Sequence, residues 1–247
     1  MIELTALGGL PEVRPGDDLG ALILAAAEPL GGLRPTDVVA VAHKVVSKAE
    51  GRVVALTDVT PGERALGLAA EQGRDARHVQ VILDESAELV RAERGRLISR
   101  TRHGFVCANA GVDASNAPSE GHLVLLPLDP DASARRLRAA LGSAPPAVVV
   151  TDSFGRAWRE GQCEVAIGCA GLRALEDRRG RPDAAGRTLT ASVIAIADQV
   201  AAAADLVRDK ASMEPAVRIR GLERHVGEDD GTGARALVRP SQEDLFG

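Results

Sequence analysis

The chain has 247 residues, 45% hydrophobic and 26% charged, with 30 basic against 35 acidic residues and a formal net charge of −5. That acidic balance, with 2% aromatic content and no tyrosine, leaves out the basic footprint and stacking aromatics that a nucleic-acid partner requires. No apolar run approaches the ~18 residues of a membrane-spanning helix, so no membrane partner is expected. Met1-Ile2-Glu3-Leu4-Thr5 has no basic region leading into an apolar one, which makes the cytoplasm the expected location. Cys107, Cys163 and Cys169 form an odd set at spacings of 56 and 6. This fits neither a disulfide framework nor paired metal-ligand spacing, and they read as reduced core residues.

In chain order, the first strong signal is an apolar strand at 37–42. Thr60-Pro61-Gly62-Glu63 reads as a capping box with proline at the first helical position, which predicts a helix from there to Gly73. Between about Asp75 and Glu93, Val79, Ile82, Leu83, Leu89 and Val90 recur at helical spacing and predict a second helix. Runs rich in β-branched residues or leucine predict strands at 96–101, 104–108, 121–126, 146–151 and 216–220. A long Ala-rich helical pattern runs from about Arg187 to Arg208. Gly227 to Gly233 is polar and glycine-rich and is expected to be a mobile loop. An α+β fold follows, with mixed and antiparallel sheets and packed helices. It is expected to form one intertwined domain over 1–247, with two lobes allowed and 227–247 as a polar loop and tail.

Two clusters carry chemistry. Val106 to Asn116 gathers an acid, a hydroxyl and two amides around Gly111, and Thr151-Asp152-Ser153-Phe154-Gly155-Arg156 follows the apolar run 147–150. Read as strand-end acids, Asp113 and Asp152 suggest one divalent-cation site between them, with Ser153 beside the second, because hard cations take one or two carboxylates with phosphate oxygens and water. The alternative is an Asx-type turn at Asp113 and Ser115 and a helix-capping Asp152. Lys48, placed after the strand ending at Val41, reads either as a point charge on phosphate or as a solvated turn lysine. Arg156 and Arg159, flanking Trp158, read as a clamp for phosphate or an acidic substrate, or as surface arginines. His103 reads as a turn residue, and His78, His122 and His225 carry no signal. The P-loop pattern is missing, so nucleotide binding would need a non-Walker architecture.

These segments, with Gly9-Leu10-Pro11-Glu12-Val13, Gly16-Asp17-Asp18-Leu19, Ser47-Lys48-Ala49-Glu50-Gly51-Arg52, Leu126-Pro127-Leu128-Asp129-Pro130-Asp131 and Ala166-Ile167-Gly168, resemble the coenzyme F-420-0:gamma-glutamyl ligase family, in order from about Leu10 to Gly221. The resemblance implies that family's fold and a GTP-dependent ligase that adds γ-linked L-glutamate to the deazaflavin F-420-0 through an acyl phosphate, giving GDP and phosphate. It implies catalytic roles for Asp113, Asp152 and Lys48, and Mg²⁺ or Mn²⁺ on Asp113, Asp152 and Ser153, two such cations being expected. It further implies GTP contacts from Lys48, Asn116, His43 and the loop Leu10, Pro11, Glu12 and Val13, a requirement for K⁺, and a homodimer. At His43 the family often has a small polar residue. The stretch Arg208 to Glu214 departs from the family's glycine-rich loop and its metal-binding glutamate, and Asp209 could replace that ligand only with a backbone shift. Some family members continue into a nitroreductase-like domain. The rival readings are a metal-dependent nucleotide phosphohydrolase and a non-catalytic deazaflavin- or nucleotide-binding module.

Overall fold

The computed structural model describes residues 1–208 and 212–244. Its strands are β1 (Glu3–Leu7), β2 (Val38–Ala42), β3 (Val53–Ala55), β4 (Ser86–Glu93), β5 (Arg96–Thr101), β6 (Val106–Ala108), β7 (His122–Val124), β8 (Ala147–Arg156), β9 (Arg159–Ala170), β10 (Leu175–Asp177), β11 (Val193–Ala195) and β12 (Ala216–Arg220). Its α-helices are α1 (Leu19–Ala27), α2 (His43–Ala49), α3 (Glu63–Gln72), α4 (Ala76–Glu85), α5 (Pro130–Ala140) and α6 (Ile196–Asp205). The α+β class is borne out, with mixed and antiparallel sheets.

The central sheet has the order β1-β12-β2-β8-β9. Only β2 and β8 run parallel, in the register Ala42 opposite Thr151, and the other neighbours are antiparallel. Strand β2 and the first four residues of β8 are apolar at every position because both faces of the sheet are covered there. Val39, Val41, Val148 and Val150 pack under α1, α2 and α5, while Val38, Ala40, Ala147 and Val149 pack under α6. Alanines at 197, 201 and 204 let α6 lie close to the second face. Gly168 in β9 does the same for α5, since a Cβ there would stand 2.2 Å from the Pro130 carbonyl oxygen. A third core joins α3 and α4 to Leu97 of β5 and Leu123 of β7. It supports the three-stranded β4-β5-β6 sheet and the β3-β7 pair.

Several expected elements change. The capping box at Thr60 is absent. The helix starts at Glu63 with Gly62 as N-cap and no side-chain cap, and the Gly62 N–H donates instead to Gln80 Oε1 at 2.9 Å. Its end at Gly73, in the left-handed region at φ 64, is as expected. The helix predicted over 75–93 divides: α4 stops at Glu85, Ser86 turns extended, and 86–93 pairs with β5. Val90, placed on an apolar helix face by its spacing, is 47% exposed. Of the helix predicted from Arg187 to Arg208 only 196–205 forms, because 193–195 pairs with β10. The segment 227–233 is loop, yet it is tied down. Arg138 holds Asp230 at 2.8 Å and the carbonyls of Gly227 and Glu228, and Asp131 accepts the N–H groups of Ala234 and Arg235. Among the described residues no helix is long and apolar enough to cross a membrane.

Candidate functional site

The sheet register builds the site. Because Ala42 lies opposite Thr151 in the parallel pair, His43 at the start of α2 emerges beside Asp152, and His43 Nε2 stands 3.3 Å from Asp152 Oδ1. The Ala42 N–H donates to the Pro215 carbonyl at 2.8 Å, which brings Glu214 and Pro215 to the same edge. Leu7 pairs with Ala216, so the chain leaving β1 delivers Leu10 to Val13 there as well. On the far side Ser153 pairs with Glu164 of β9. Asp113, which follows a 3-10 turn at Asn109–Gly111 and bridges to Val124, comes in from the side of the β3-β7 pair. The result is a cavity of about 370 Å³ at the carboxyl ends of the parallel strands, where open α/β sheets place their ligands. Every residue to which the resemblance gives a catalytic, metal or nucleotide role lines it: the 10–13 loop, His43 and Lys48, Asp113 and Asn116, and Asp152 with Ser153.

The settings of these residues differ from those expected. Lys48 is not in a turn after a strand but in the last turn of α2. It is buried, with Nζ 2.5 Å from Glu12 Oε1. Asp152 is no strand-end acid, because β8 continues to Arg156, and it caps no helix; its Oδ1 accepts the Ser153 N–H at 2.8 Å. Asp113 does make the Asx turn, with Ser115 N donating to Oδ1 at 2.7 Å, and it also pairs through Oδ2 with Lys44 Nζ at 2.7 Å. Burial raises its pKa, but the Lys44 ammonium and the Ser115 donors outweigh that and hold its carboxyl below the usual range. Arg156 and Arg159 do not line the cavity. They sit at the exposed tip of the β8–β9 hairpin, where Arg156 binds the Glu160 and Gly161 carbonyls and Trp158 adopts φ 61. His103 is the turn residue expected, hydrogen-bonded to Pro127 O at 2.9 Å and stacked on Phe105. Asp209 lies outside the described residues.

Some cavity residues carried no recognised signal in the sequence. Lys44 is one. A second set is Glu164 and Arg208: Ser153 Oγ donates to Glu164 Oε1 at 2.5 Å, and Arg208 Nη2 reaches Glu164 Oε2 at 3.0 Å and Thr151 Oγ1 at 3.1 Å. The cysteines are all free. Cys107 and Cys169 are buried, and burial pushes both thiols up to about 12, which rules them out as thiolate nucleophiles near neutral pH.

The charge balance decides what the cavity accepts. Among the described residues, six carboxylates (Glu12, Asp113, Asp152, Glu164, Asp205 and Glu214) face three cations (Lys44, Lys48 and Arg208), a formal balance of −3 with histidine neutral. Each of the three cations is already paired with a carboxylate, to Asp113, Glu12 and Glu164 respectively. A polyphosphate entering such walls needs accompanying positive charge. The donors Asp113, Asp152 and Ser153 are all oxygen, which fits Mg²⁺ or Mn²⁺. Among the described residues no three His, Cys, Asp or Glu side chains form a ready-made metal cage.

Fold and cavity together define an α+β protein with a charge-lined cleft at the carboxyl ends of a parallel strand pair. The family model for F-420-0:gamma-glutamyl ligase matches residues 9–221, and the chain belongs to that family. It is 44% identical to the coenzyme F-420:L-glutamate ligase of Methanopyrus kandleri, over 97% of this chain and all of that protein. It is 42% identical to the ligase of the same name from Methanothermobacter thermautotrophicus, over 99% of this chain and 98% of the other. The corresponding protein of Methanocaldococcus jannaschii is 38% identical over 96% of this chain and 94% of its own length.

Proposed function

We propose that the chain joins L-glutamate to the lactyl carboxylate of F-420-0 at the expense of GTP. Condensing a carboxylate with an amine in water is uphill, so the acid takes the γ-phosphoryl group of GTP, GDP leaves, and the amine of glutamate displaces phosphate from the acyl phosphate. The observation that carries this reading is the convergence on one cavity of motifs scattered from Leu10 to Ser153 in a chain that belongs to the ligase family. Asp113, Asp152 and Ser153 would hold the divalent cation. Bound there, it would supply charge neutralisation on the phosphate oxygens. Lys48, Asn116, His43 and the 10–13 loop would position GTP. The family further implies a second divalent cation, K⁺ and a homodimer.

The test is mass spectrometry of product from purified protein with F-420-0, glutamate, GTP and Mn²⁺. A product heavier by glutamyl units, with GDP formed in step, is the expected result. GTP consumption should depend on the deazaflavin acceptor. Equal GTP turnover with and without acceptor, and no glutamyl product, would assign the cavity to a phosphohydrolase.

Lys48→Ala should weaken GTP binding or slow turnover roughly 10- to 100-fold, the scale of one charge-assisted contact to phosphate. The fold should survive, because Glu12, left without its partner, is half exposed and returns to water. GTP affinity by calorimetry beside a thermal melt checks both halves. Unchanged affinity and turnover would make Lys48 a purely structural partner of Glu12.

A further inference from the structure

We propose that Lys44 is a built-in stand-in for the divalent cation on Asp113, and that metal binding proceeds by exchange in which Lys44 leaves the carboxylate. This rests on the reading of Asp113 as a cation ligand. Lys44 follows His43 on α2 and reaches across the cavity, where Nζ lies 2.7 Å from Asp113 Oδ2 and 2.6 Å from Ser115 Oγ. Ser115 Oγ donates to the same Oδ2 at 2.9 Å, while its N–H takes Oδ1. Oδ2 therefore already has an ammonium and a hydroxyl as partners, which uses its acceptor capacity. A cation ligated by that oxygen sits about 2.1 Å away, within a few ångström of the ammonium if Lys44 stays. Two positive charges at such a separation repel each other strongly, which favours the departure of the ammonium. Lys44 is three-quarters or more buried and Asp113 is not fully so, and the flexible lysine stem supplies the freedom to swing clear.

The exchange has a measurable cost. Holding Asp113 in the paired form lowers apparent metal affinity by the fraction of molecules in which the carboxylate is free. Lys44→Gln should therefore bind Mn²⁺ about tenfold more tightly than wild type in calorimetry without nucleotide. Removing a positive charge anywhere near the site would also favour a cation, so a double-mutant cycle separates the two causes. Asp113→Asn should weaken Mn²⁺ binding, and Lys44→Gln added to Asp113→Asn should bring no gain. A gain that persists in the Asp113→Asn background makes Lys44 a mere nearby charge and overturns the proposal. So does unchanged affinity in Lys44→Gln while Asp113→Asn weakens binding, and the cation reading then stands without it. Unchanged affinity in Asp113→Asn removes the cation reading itself, and the stand-in with it. A measurement on wild-type protein needs no variant to fold: acylation of Lys44 by an N-hydroxysuccinimide ester, scored by peptide mass spectrometry relative to the Met1 amine, should rise severalfold on adding Mg²⁺. Equal labelling with and without Mg²⁺ would mean that Lys44 does not move.

Discussion

Asp152→Asn is expected to lower turnover by about a thousandfold or more while the protein stays folded. Asparagine keeps the shape of aspartate and still offers an oxygen to the Ser153 N–H, the contact that fixes this side chain in β8. Only the charge is lost, and charge is what a cation-ligating carboxylate contributes to phosphoryl transfer. A metal stabilises the developing charge by several kcal/mol, and about 4 kcal/mol corresponds to roughly a thousandfold in rate. Stability should hold or rise, since among the described residues the variant removes one of six carboxylates from a wall with a formal balance of −3. Single-turnover kinetics, Mn²⁺ titration and a thermal melt of the same preparation make the comparison. Near wild-type turnover in Asp152→Asn would remove Asp152 from the reaction and leave it as the partner of His43.

The neighbourhood of Asp152 also explains why parts of the site were legible in the sequence and others were not. Apolar runs read directly as strands, and strand 38–42 and the start of strand 147–156 lie where those runs predict, although the second continues five residues past its expected end at 151. The register that places His43 against Asp152 was hidden, because parallel pairing is set by the whole sheet and by no local signal. Helix α2 was hidden too: it has seven residues and an N-cap, Ala42, that makes no side-chain hydrogen bond. Strand β9 was missed because its first third, Arg159 to Gln162, is polar and exposed, and with it went Glu164, whose role exists only across the hairpin. Leu89 and Val90 misled because two apolar residues can satisfy a helical spacing by accident, while the bulged β4–β5 pairing leaves no clean alternation to compete with it. Helix α5 was also not predicted, although its start carries local signals: Asp129 caps it by accepting the Ala132 N–H, and Pro130 opens it.

Arg208→Met should be the most destabilising single change at the cavity wall, at about 3–5 kcal/mol, the cost of leaving one member of a buried ion pair alone. Both side chains of this pair are more than nine-tenths buried, at 7% exposure for Arg208 and 8% for Glu164. Removing the guanidinium strands the carboxylate and also strips a hydrogen bond from Thr151 Oγ1 and one from the Pro215 carbonyl. For a chain of this size each kcal/mol moves the melting temperature by roughly 2–4 °C, so a fall on the order of 10 °C is expected. The exposed Arg179–Asp177 pair at 2.6 Å is the control. Its charges keep their water, and Arg179→Ala should hardly move the midpoint. Replacing both partners, Arg208→Met with Glu164→Met, should recover a good part of the loss, because an apolar pair of similar volume carries no stranded charge. Ser153 would lose its 2.5 Å partner in that double variant, so stability and turnover should part company: a protein that melts near the wild-type temperature yet works poorly. A double variant no more stable than Arg208→Met would mean that the arginine acts through Thr151 and Pro215 and not through the charge of Glu164.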